Sequence, residues 1–126
     1  MNVDKRIEEF SLEGKSFLYV NLSGLDNNDD FDRLFEKAKP VFAKHPFQTL
    51  HTVTNIHNIF FDANTSDLLF SYLEHNKAYV KRGAVFGIDG IKKQMINSAL
   101  AQTDRDSIHY AFTKEEAIQW LLQQED

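Results

Sequence analysis

The sequence contains no cysteine among its 126 residues. That absence excludes disulfide bonds, thiolate metal sites and cysteine catalysis, and it fits the cytoplasmic location that we expect. Long apolar runs are also missing, since no run approaches the ~18 residues that suggest a membrane span. The start of the chain alternates in charge and lacks an apolar segment. We therefore expect neither a signal peptide nor a membrane span.

Positive charge is in short supply, with 14 Lys and Arg against 19 Asp and Glu and a net charge of −5. Because contacts from Lys and Arg to phosphate supply most of the affinity for nucleic acid, we predict no nucleic-acid partner. The G-x-S-x-G, H-E-x-x-H and G-x-G-x-x-G motifs are absent as well. Ser23, His57 and Asp62 could be drawn as a triad, but nothing in their spacing fixes a geometry. We therefore predict no enzyme, no catalytic residues, no metal site and no cofactor.

Apolar and aromatic residues, in contrast, are abundant: 42 % of the chain is apolar and eleven residues are Phe. The chain shows no repeat, low-complexity tract or linker, so this composition predicts one compact domain over residues 1–126. Most phenylalanines fall on predicted buried faces and are assigned to the core: Phe17, Phe31, Phe35, Phe42, Phe60, Phe70, Phe86 and Phe112.

The hydrophobic pattern predicts an N-terminal hairpin followed by alternating helices and strands. The hairpin turn lies at Gly14, and Pro40 is expected to kink or split the first helix. The predicted strands are about Ile7–Leu12, Phe17–Leu22, Thr49–Ile56, Gly83–Ile88 and Ser107–Phe112. The predicted helices are about Asp29–His45, Ser66–Lys77, Gly90–Gln102 and Thr113–Gln124. This order predicts an α/β fold with a mixed, mostly parallel sheet of about five strands, an antiparallel edge strand at the N-terminal end, and about four helices.

Candidate site residues lie in the loops that follow the predicted strands, because open α/β sheets usually bind ligands beyond the carboxyl ends of their strands. These residues are Ser23, Asp26, Asp62, Asn64, Thr65, Ser66, Asp89, Lys92 and Lys93. The polar cluster at 62–66 either caps a helix or forms a site. The simpler interpretation is that Asn64, Thr65 or Ser66 is the N-cap, while Asp62 or Asp67 complements the helix dipole.

Two stretches, "YVKRGAVFGIDGIKK" at Tyr79–Lys93 and "FTKEEAIQWL" at Phe112–Leu121, together with the element order, resemble the SpoIIAA-like family. Members of that family have the fold of STAS domains and of small lipid-binding modules of the CRAL-TRIO/SEC14 group. The resemblance runs from about Phe17 to Leu122. It implies a STAS-like regulatory domain that binds a protein partner through its strand-end loops.

The resemblance also implies a role for the junction at Asp62. In STAS antagonists the third strand ends in an Asp followed by two serines and a glycine, and the serine at the helix start accepts a phosphoryl group from a partner kinase. Asp62 matches that Asp, but Ala63, Asn64 and Thr65 follow it. Thr65 and Ser66 are displaced hydroxyls, so we expect that the phospho-switch has been lost.

Two functions from different classes remain open. The first is a non-enzymatic regulatory or interaction domain that binds a protein partner through the Asp62–Ser66 loop and the adjacent loops. The second is a small carrier or sensor of an apolar, lipid-like molecule, which the aromatic richness and the SEC14-like relatives favour. A carrier predicts a cavity on the order of several hundred Å3 lined by Phe and Leu. Homodimerisation is compatible with either function.

Overall fold

The structure, a computed structural model, describes residues 2–88, 93, 94, 98 and 108–124. Its strands are β1 (Ile7–Leu12), β2 (Lys15–Asn21), β3 (Leu50–Asn55), β4 (Val80–Phe86) and β5 (Ile108–Ala111). Its helices are α1 (Asn28–Ala43), α2 (Ala63–Asn76) and α3 (Lys114–Gln123), and a short 3-10 turn, Val3–Arg6, precedes β1. Most of the predicted helix at Gly90–Gln102 lies outside the described residues. The three described residues within it, Lys93, Gln94 and Ser98, are helical.

The five strands form one sheet in the order β1-β2-β3-β4-β5. β1 pairs with β2 antiparallel, and every other neighbouring pair is parallel. The β1–β2 connection is a two-residue turn at Glu13 and Gly14, whose φ angles of 50° and 79° are both positive, as the tightest hairpin turns require. The predicted mixed α/β sheet with an antiparallel N-terminal edge strand is therefore confirmed.

Both faces of the sheet are covered, and each face has its own apolar core. Successive residues of a strand point to opposite faces, so Phe17 lies in one core and Leu18 in the other. The core beneath α1 and α2 includes Leu18, Val20, Leu34, Phe35, Phe42, Leu50 and Tyr72. The core beneath α3 includes Phe17, Val53, Ala84, Ala117 and Leu121. Among the described residues, the sheet thus lies between α1 and α2 on one side and α3 on the other.

Helix α1 buries the apolar stripe that its spacing predicts, namely Phe31, Leu34, Phe35, Ala38 and Phe42. Pro40 does not split the helix, which continues to Ala43. Proline removes one backbone donor, but both Pro40 and Glu36, the residue whose carbonyl would accept that bond, are exposed, so water can take the place of the missing donor. The prediction that Pro40 splits this helix was therefore wrong, while the alternative that it kinks the helix stays a prediction.

Three further sequence-based predictions need correction. Helix α2 begins at Ala63 instead of Ser66, and β4 begins at Val80 instead of Gly83. Lys81 and Arg82 interrupt the apolar run, yet β4 already pairs with β3 at this point, from Val80 onward. Phe60 and Phe112 were assigned to the core but are 40 % and 89 % exposed.

Candidate functional site at the carboxyl edge of the sheet

The carboxyl ends of β2 and β3 lie side by side, and the loops that follow them are hydrogen-bonded to each other. The N–H of Leu22 donates to the carbonyl of Asn55 over 2.8 Å. The N–H of Gly24 donates to the carbonyl of His57 over 3.1 Å. The N–H of Phe60 donates to the carbonyl of Leu25 over 2.8 Å. The two loops are therefore connected to each other along the carboxyl edge of the sheet.

Both strands end in an asparagine that fixes the direction of the following loop. The side-chain oxygen of Asn21 accepts from the N–H of Ser23 at 2.9 Å, and that of Asn55 accepts from the N–H of His57 at 3.0 Å. An Asn side chain that accepts from the backbone N–H two residues ahead closes a tight turn, just as a backbone carbonyl closes a β-turn. The sequence signal for this device is an Asn at the end of each strand, which the sequence analysis did not use.

Asp62 is the N-cap of α2 and forms a reciprocal capping box with Thr65. Its Oδ1 accepts from the N–H of Thr65 at 2.9 Å, and its own N–H donates to Thr65 Oγ1 at 3.2 Å. The predicted N-caps Asn64, Thr65 and Ser66 are therefore wrong, because the helix starts earlier. Threonine takes the position that Glu or Gln usually occupies in this motif, which hid the signal in the sequence.

Asn28, the first residue of α1, joins the starts of the two helices. Its amide nitrogen donates to Asp62 Oδ1 at 3.1 Å, and its amide oxygen accepts from Thr65 Oγ1 at 2.6 Å. The sequence does not reveal the role of Asn28, because its partners lie more than thirty residues away in the chain. The resulting clamp of Asn28, Asp62 and Thr65 fixes the position of α1 relative to α2.

The clamp also sets the charge state of Asp62. The hydrogen bond from the N–H of Thr65, followed by that from the Asn28 amide, holds the pKa of the Asp62 carboxyl below its usual value of about 3.9. Hydrogen bonds of this kind favour the ionised form because they are stronger to a carboxylate than to the neutral acid. Asp62 is therefore an anion at neutral pH.

The two displaced hydroxyls of the predicted switch differ in accessibility. Thr65 is 1 % exposed, and its hydroxyl donates to Asn28 while accepting from the N–H of Asp62. Ser66 is partly exposed, and Asn64 is exposed. An incoming phosphoryl donor could therefore reach the Thr65 oxygen only after the clamp had opened.

Of the other predicted site residues, the structure describes Ser23, Asp26 and Lys93. Asp26 is exposed, and Ser23 contributes its carbonyl, which accepts from Arg6 Nη1 at 2.8 Å. Lys93 is exposed and lies beside a hollow near β5. Asp89 and Lys92 fall outside the described residues. Asp62 is oriented by Asn28 and Thr65, not by the triad that could be drawn with Ser23 and His57.

A second feature of this edge is an open groove between β2 and the start of α3, with a volume of about 460 Å3. The rings of Tyr19 and Phe86 lie nearly parallel at 11°, with centroids 6.4 Å apart, and both line the groove. Lys114 places its Nζ 4.1 Å from the centroid of the Tyr19 ring. The sequence does not reveal this groove, because Phe and Tyr residues are equally suited to a buried core.

Within the described ranges, no three acidic or histidine side chains converge in a way that could hold a metal ion. No helix among the described residues is long and apolar enough to cross a membrane. Two mostly apolar cavities beneath α2 have volumes of about 40 and 20 Å3.

The strand order, the helices on both faces and the capped helix that follows β3 define an α/β domain with a SpoIIAA-like fold. A protein of the DUF3478 family with a SpoIIAA-like fold from Shewanella loihica is similar with a TM-score of 0.69 and 14 % identity, over 91 % of each chain. The anti-sigma factor antagonist SpoIIAA in its unphosphorylated form is similar with a TM-score of 0.63 and 14 % identity, over 95 % of this chain and 99 % of that one.

The Bacillus cell fate determinant SpoIIAA in its phosphorylated form matches with a TM-score of 0.56 and 18 % identity, over 91 % of this chain and 98 % of that one. No protein-family model matches the sequence, and no curated protein matches it significantly. At these identities the likeness establishes the fold, and the predicted SpoIIAA-like resemblance is confirmed at that level. The further resemblance to CRAL-TRIO/SEC14 modules stays a prediction.

Proposed function

We propose that this chain is a non-enzymatic regulatory domain of STAS type that binds a protein partner without a phosphorylation switch. The proposed contact surface, called here the Asp62 surface, consists of Ser23–Asp29 and Asp62–Ser66. The carrier of an apolar ligand is the second candidate. A drug-sized or lipid-like ligand needs a cavity on the order of 300 Å3 or more. Among the described residues, the enclosed cavities beneath α2 measure only about 40 and 20 Å3, and the groove of about 460 Å3 at the start of α3 is open to solvent, so neither supports a buried apolar ligand.

The observation that carries this proposal is the clamp of Asn28, Asp62 and Thr65. It holds two helix starts and two loops in one arrangement, while Asp26 and Asn64 remain exposed above it. A surface that is ordered before binding loses less conformational entropy when a partner docks. One of the proteins with a similar structure is an anti-sigma factor antagonist, and that likeness also supports a protein partner.

The loss of the switch is supported by the burial of Thr65. Phosphorylation would place about −1.5 to −2 charges on a buried oxygen beside the Asp62 carboxylate, where like charges repel. The protein isolated from its native cells should therefore carry no phosphate on Thr65 or Ser66, as measured by mass spectrometry of the intact chain and of its peptides. Stoichiometric phosphate at either residue would contradict a constitutive surface.

Partner binding can be tested with one arginine on the Asp62 surface. Asn64→Arg places a long cation on an exposed position of α2, and it should weaken capture of a specific partner from native lysate. Ser71→Arg is the matched control, because Ser71 is exposed on the same helix and the change in charge is identical. A partner that is lost equally from both variants, or from neither, would argue against the Asp62 surface.

A further inference from the structure

Phe112 stands out at the carboxyl edge because its side chain lies in water. It follows β5 directly, precedes the N-cap of α3, and is 89 % exposed, the highest value among the described large apolar side chains. A hydrophobic residue just before an N-cap often packs back onto its own helix, but the exposure of Phe112 shows that it does not do so here. An exposed aromatic ring beside a concave surface is typical of an interaction site.

Phe112 forms a ridge between two depressions. On one side is the groove of about 460 Å3, with the rings of Tyr19 and Phe86 in its lining. On the other side is a hollow of about 220 Å3, lined in part by Ile88 and Tyr110. Phe112 itself belongs to the walls of both. Ridge and groove therefore lie next to each other on one continuous surface.

A surface with an adjacent ridge and groove is complementary to itself. In a twofold symmetric dimer the same patch meets its own copy, so every contact between two positions occurs twice. Rotation about an axis beside Phe112 brings each ridge to the groove of the other copy. There the phenyl ring would contact Tyr19 and Phe86, and aromatic rings favour such offset or edge-to-face contacts.

The charges at the groove also fit a second copy of this chain. Lys114 and Glu115 are consecutive residues of opposite sign, and both line the groove. Lys114 also lies 3.9 Å from the Glu8 carboxylate of its own chain, but an exposed pair of this kind contributes little, so a twofold rotation can oppose each lysine to the glutamate of the other copy. The chain as a whole carries a net charge of −5, so two copies repel each other on average. Each contact between Lys114 and Glu115 across the axis would offset part of that repulsion.

We propose that two copies of this chain associate about a twofold axis through the Phe112 patch, which consists of Tyr19, Phe86, Phe112, Lys114 and Glu115. Each Phe112 lies in the aromatic groove of the partner. Each Lys114 faces the glutamate at position 115 of the partner. This interface uses the α3 side of the carboxyl edge and leaves Asp62 and Asn64 on the α2 side.

The first test is the oligomeric state of the full chain by sedimentation velocity over a wide range of concentration. The wild-type chain should show a reversible dimer, and Phe112→Asp should raise its dissociation constant at least about tenfold, as expected for an interface hot spot. Phe47→Asp is the matched control, because Phe47 is also an exposed phenylalanine, at 72 %, in the loop between α1 and β3. It should leave the dimer unchanged.

Sensitivity to charge exchange tests the twofold arrangement itself. Lys114→Glu and Glu115→Lys should each weaken the dimer, because each brings like charges together twice. The double variant K114E/E115K restores opposite charges across the axis and should recover dimerisation. Circular dichroism checks that each variant is folded.

Several outcomes would overturn the proposal. A wild-type chain that remains monomeric at every concentration would do so, as would a dimer that Phe112→Asp leaves intact or that Phe47→Asp disrupts equally. A double charge variant that is weaker than both single variants would exclude this twofold pairing. None of these measurements involves another protein, so their failure would leave the proposed function of the Asp62 surface untouched.

Discussion

At the scale of single residues, the arrangement of the carboxyl edge depends on Asn28. This side chain both donates and accepts between two helix starts, so no other amino acid except a second amide could replace it fully. The sequence predicted that Asp62, Thr65 and Ser66 lie together, because they are neighbours in the chain. It could not predict Asn28, since a contact over 34 positions is set by the packing of α1 against α2.

Asn28→Ala should lower the free energy of unfolding by about 1–3 kcal/mol, because it leaves two partly buried oxygen atoms with fewer partners. Urea unfolding followed by circular dichroism measures this change. Asn64→Ala, on the exposed side of the same junction, should change stability by less than about 0.5 kcal/mol. Equal effects of the two substitutions would show that Asn28 is not a structural clamp.

Asp62 should make stability depend on pH in the acid range. Its pKa is lower in the folded chain than in the unfolded chain, so the ionised carboxylate stabilises the fold at pH values above the unfolded pKa of about 3.9. That contribution is lost as the pH falls through the lower, folded pKa. Asparagine is also a good N-cap but has no charge.

In Asp62→Asn, the stability deficit relative to the wild type should therefore be largest near neutral pH and should shrink as the pH falls below about 4. Unfolding midpoints measured as a function of pH provide the comparison. Asp67→Asn removes a charge from the same helix start without touching the clamp, and it corrects for the general effect of charge. A deficit that stays constant with pH would contradict the role of the Asp62 carboxylate.

At the scale of elements, the sequence predicted periodicity better than boundaries. The stripe of α1 was predicted correctly, because apolar residues that recur at helical spacing over several turns match a helix and do not match the alternation of a strand. The starts of α2 and β4 were placed too late, because polar residues there belong to the elements: Asn64 and Thr65 in α2, Lys81 and Arg82 in β4. Capping and strand pairing decided those boundaries.

The connection after β4 depends on Gly87, where the backbone comes close to the β3–α2 loop. Gly87 has a φ of 87°, and a Cβ atom there would lie 2.8 Å from the backbone nitrogen of His57. Gly14 has a similar φ of 79° but nothing within 4 Å of such an atom. A comparison of substitutions at the two glycines therefore separates the cost of a positive φ from the cost of steric overlap.

Gly14→Ala should destabilise the fold by about 1 kcal/mol through its positive φ alone. Gly87→Ala should cost clearly more, since the backbone of the β3–α2 loop must also move. Chemical denaturation of both variants gives the comparison. Similar losses at the two positions would mean that the loop at His57 yields without cost.

At the scale of the whole molecule, the sequence predicted the mixed sheet, but not which helix covers which face. The alternation of elements limits the topology to a few arrangements, whereas the exposure of Phe112 depends on where α3 lies against the sheet. Phe17 and Phe112 are the same amino acid, yet one is fully buried and the other is 89 % exposed. Residue type alone could not separate them.

Lys15 connects the beginning of the sheet to the end of the last helix. Its Nζ donates to the carbonyls of Leu121 at 3.1 Å and Gln124 at 2.7 Å, and a cation at a helix C-terminus is favoured by the helix dipole.

Lys15→Met should reduce stability by about 1–2 kcal/mol and speed hydrogen exchange in α3 first. Lys37→Met removes an exposed lysine paired with Asp4 and should have little effect. Uniform exchange across α1 and α3 would exclude a local role.

The order of the strands in the sheet is the same as their order in the chain. No strand has to enter between two others that are already paired, and each new strand joins the edge formed by the one before it. During synthesis on the ribosome, β1 and β2 can form their hairpin first, and β3 and β4 can add as each emerges. The growing sheet is therefore extended at one edge only, always that of the most recently made strand, while β1 remains at the other edge, and α3 packs on the second face after β5.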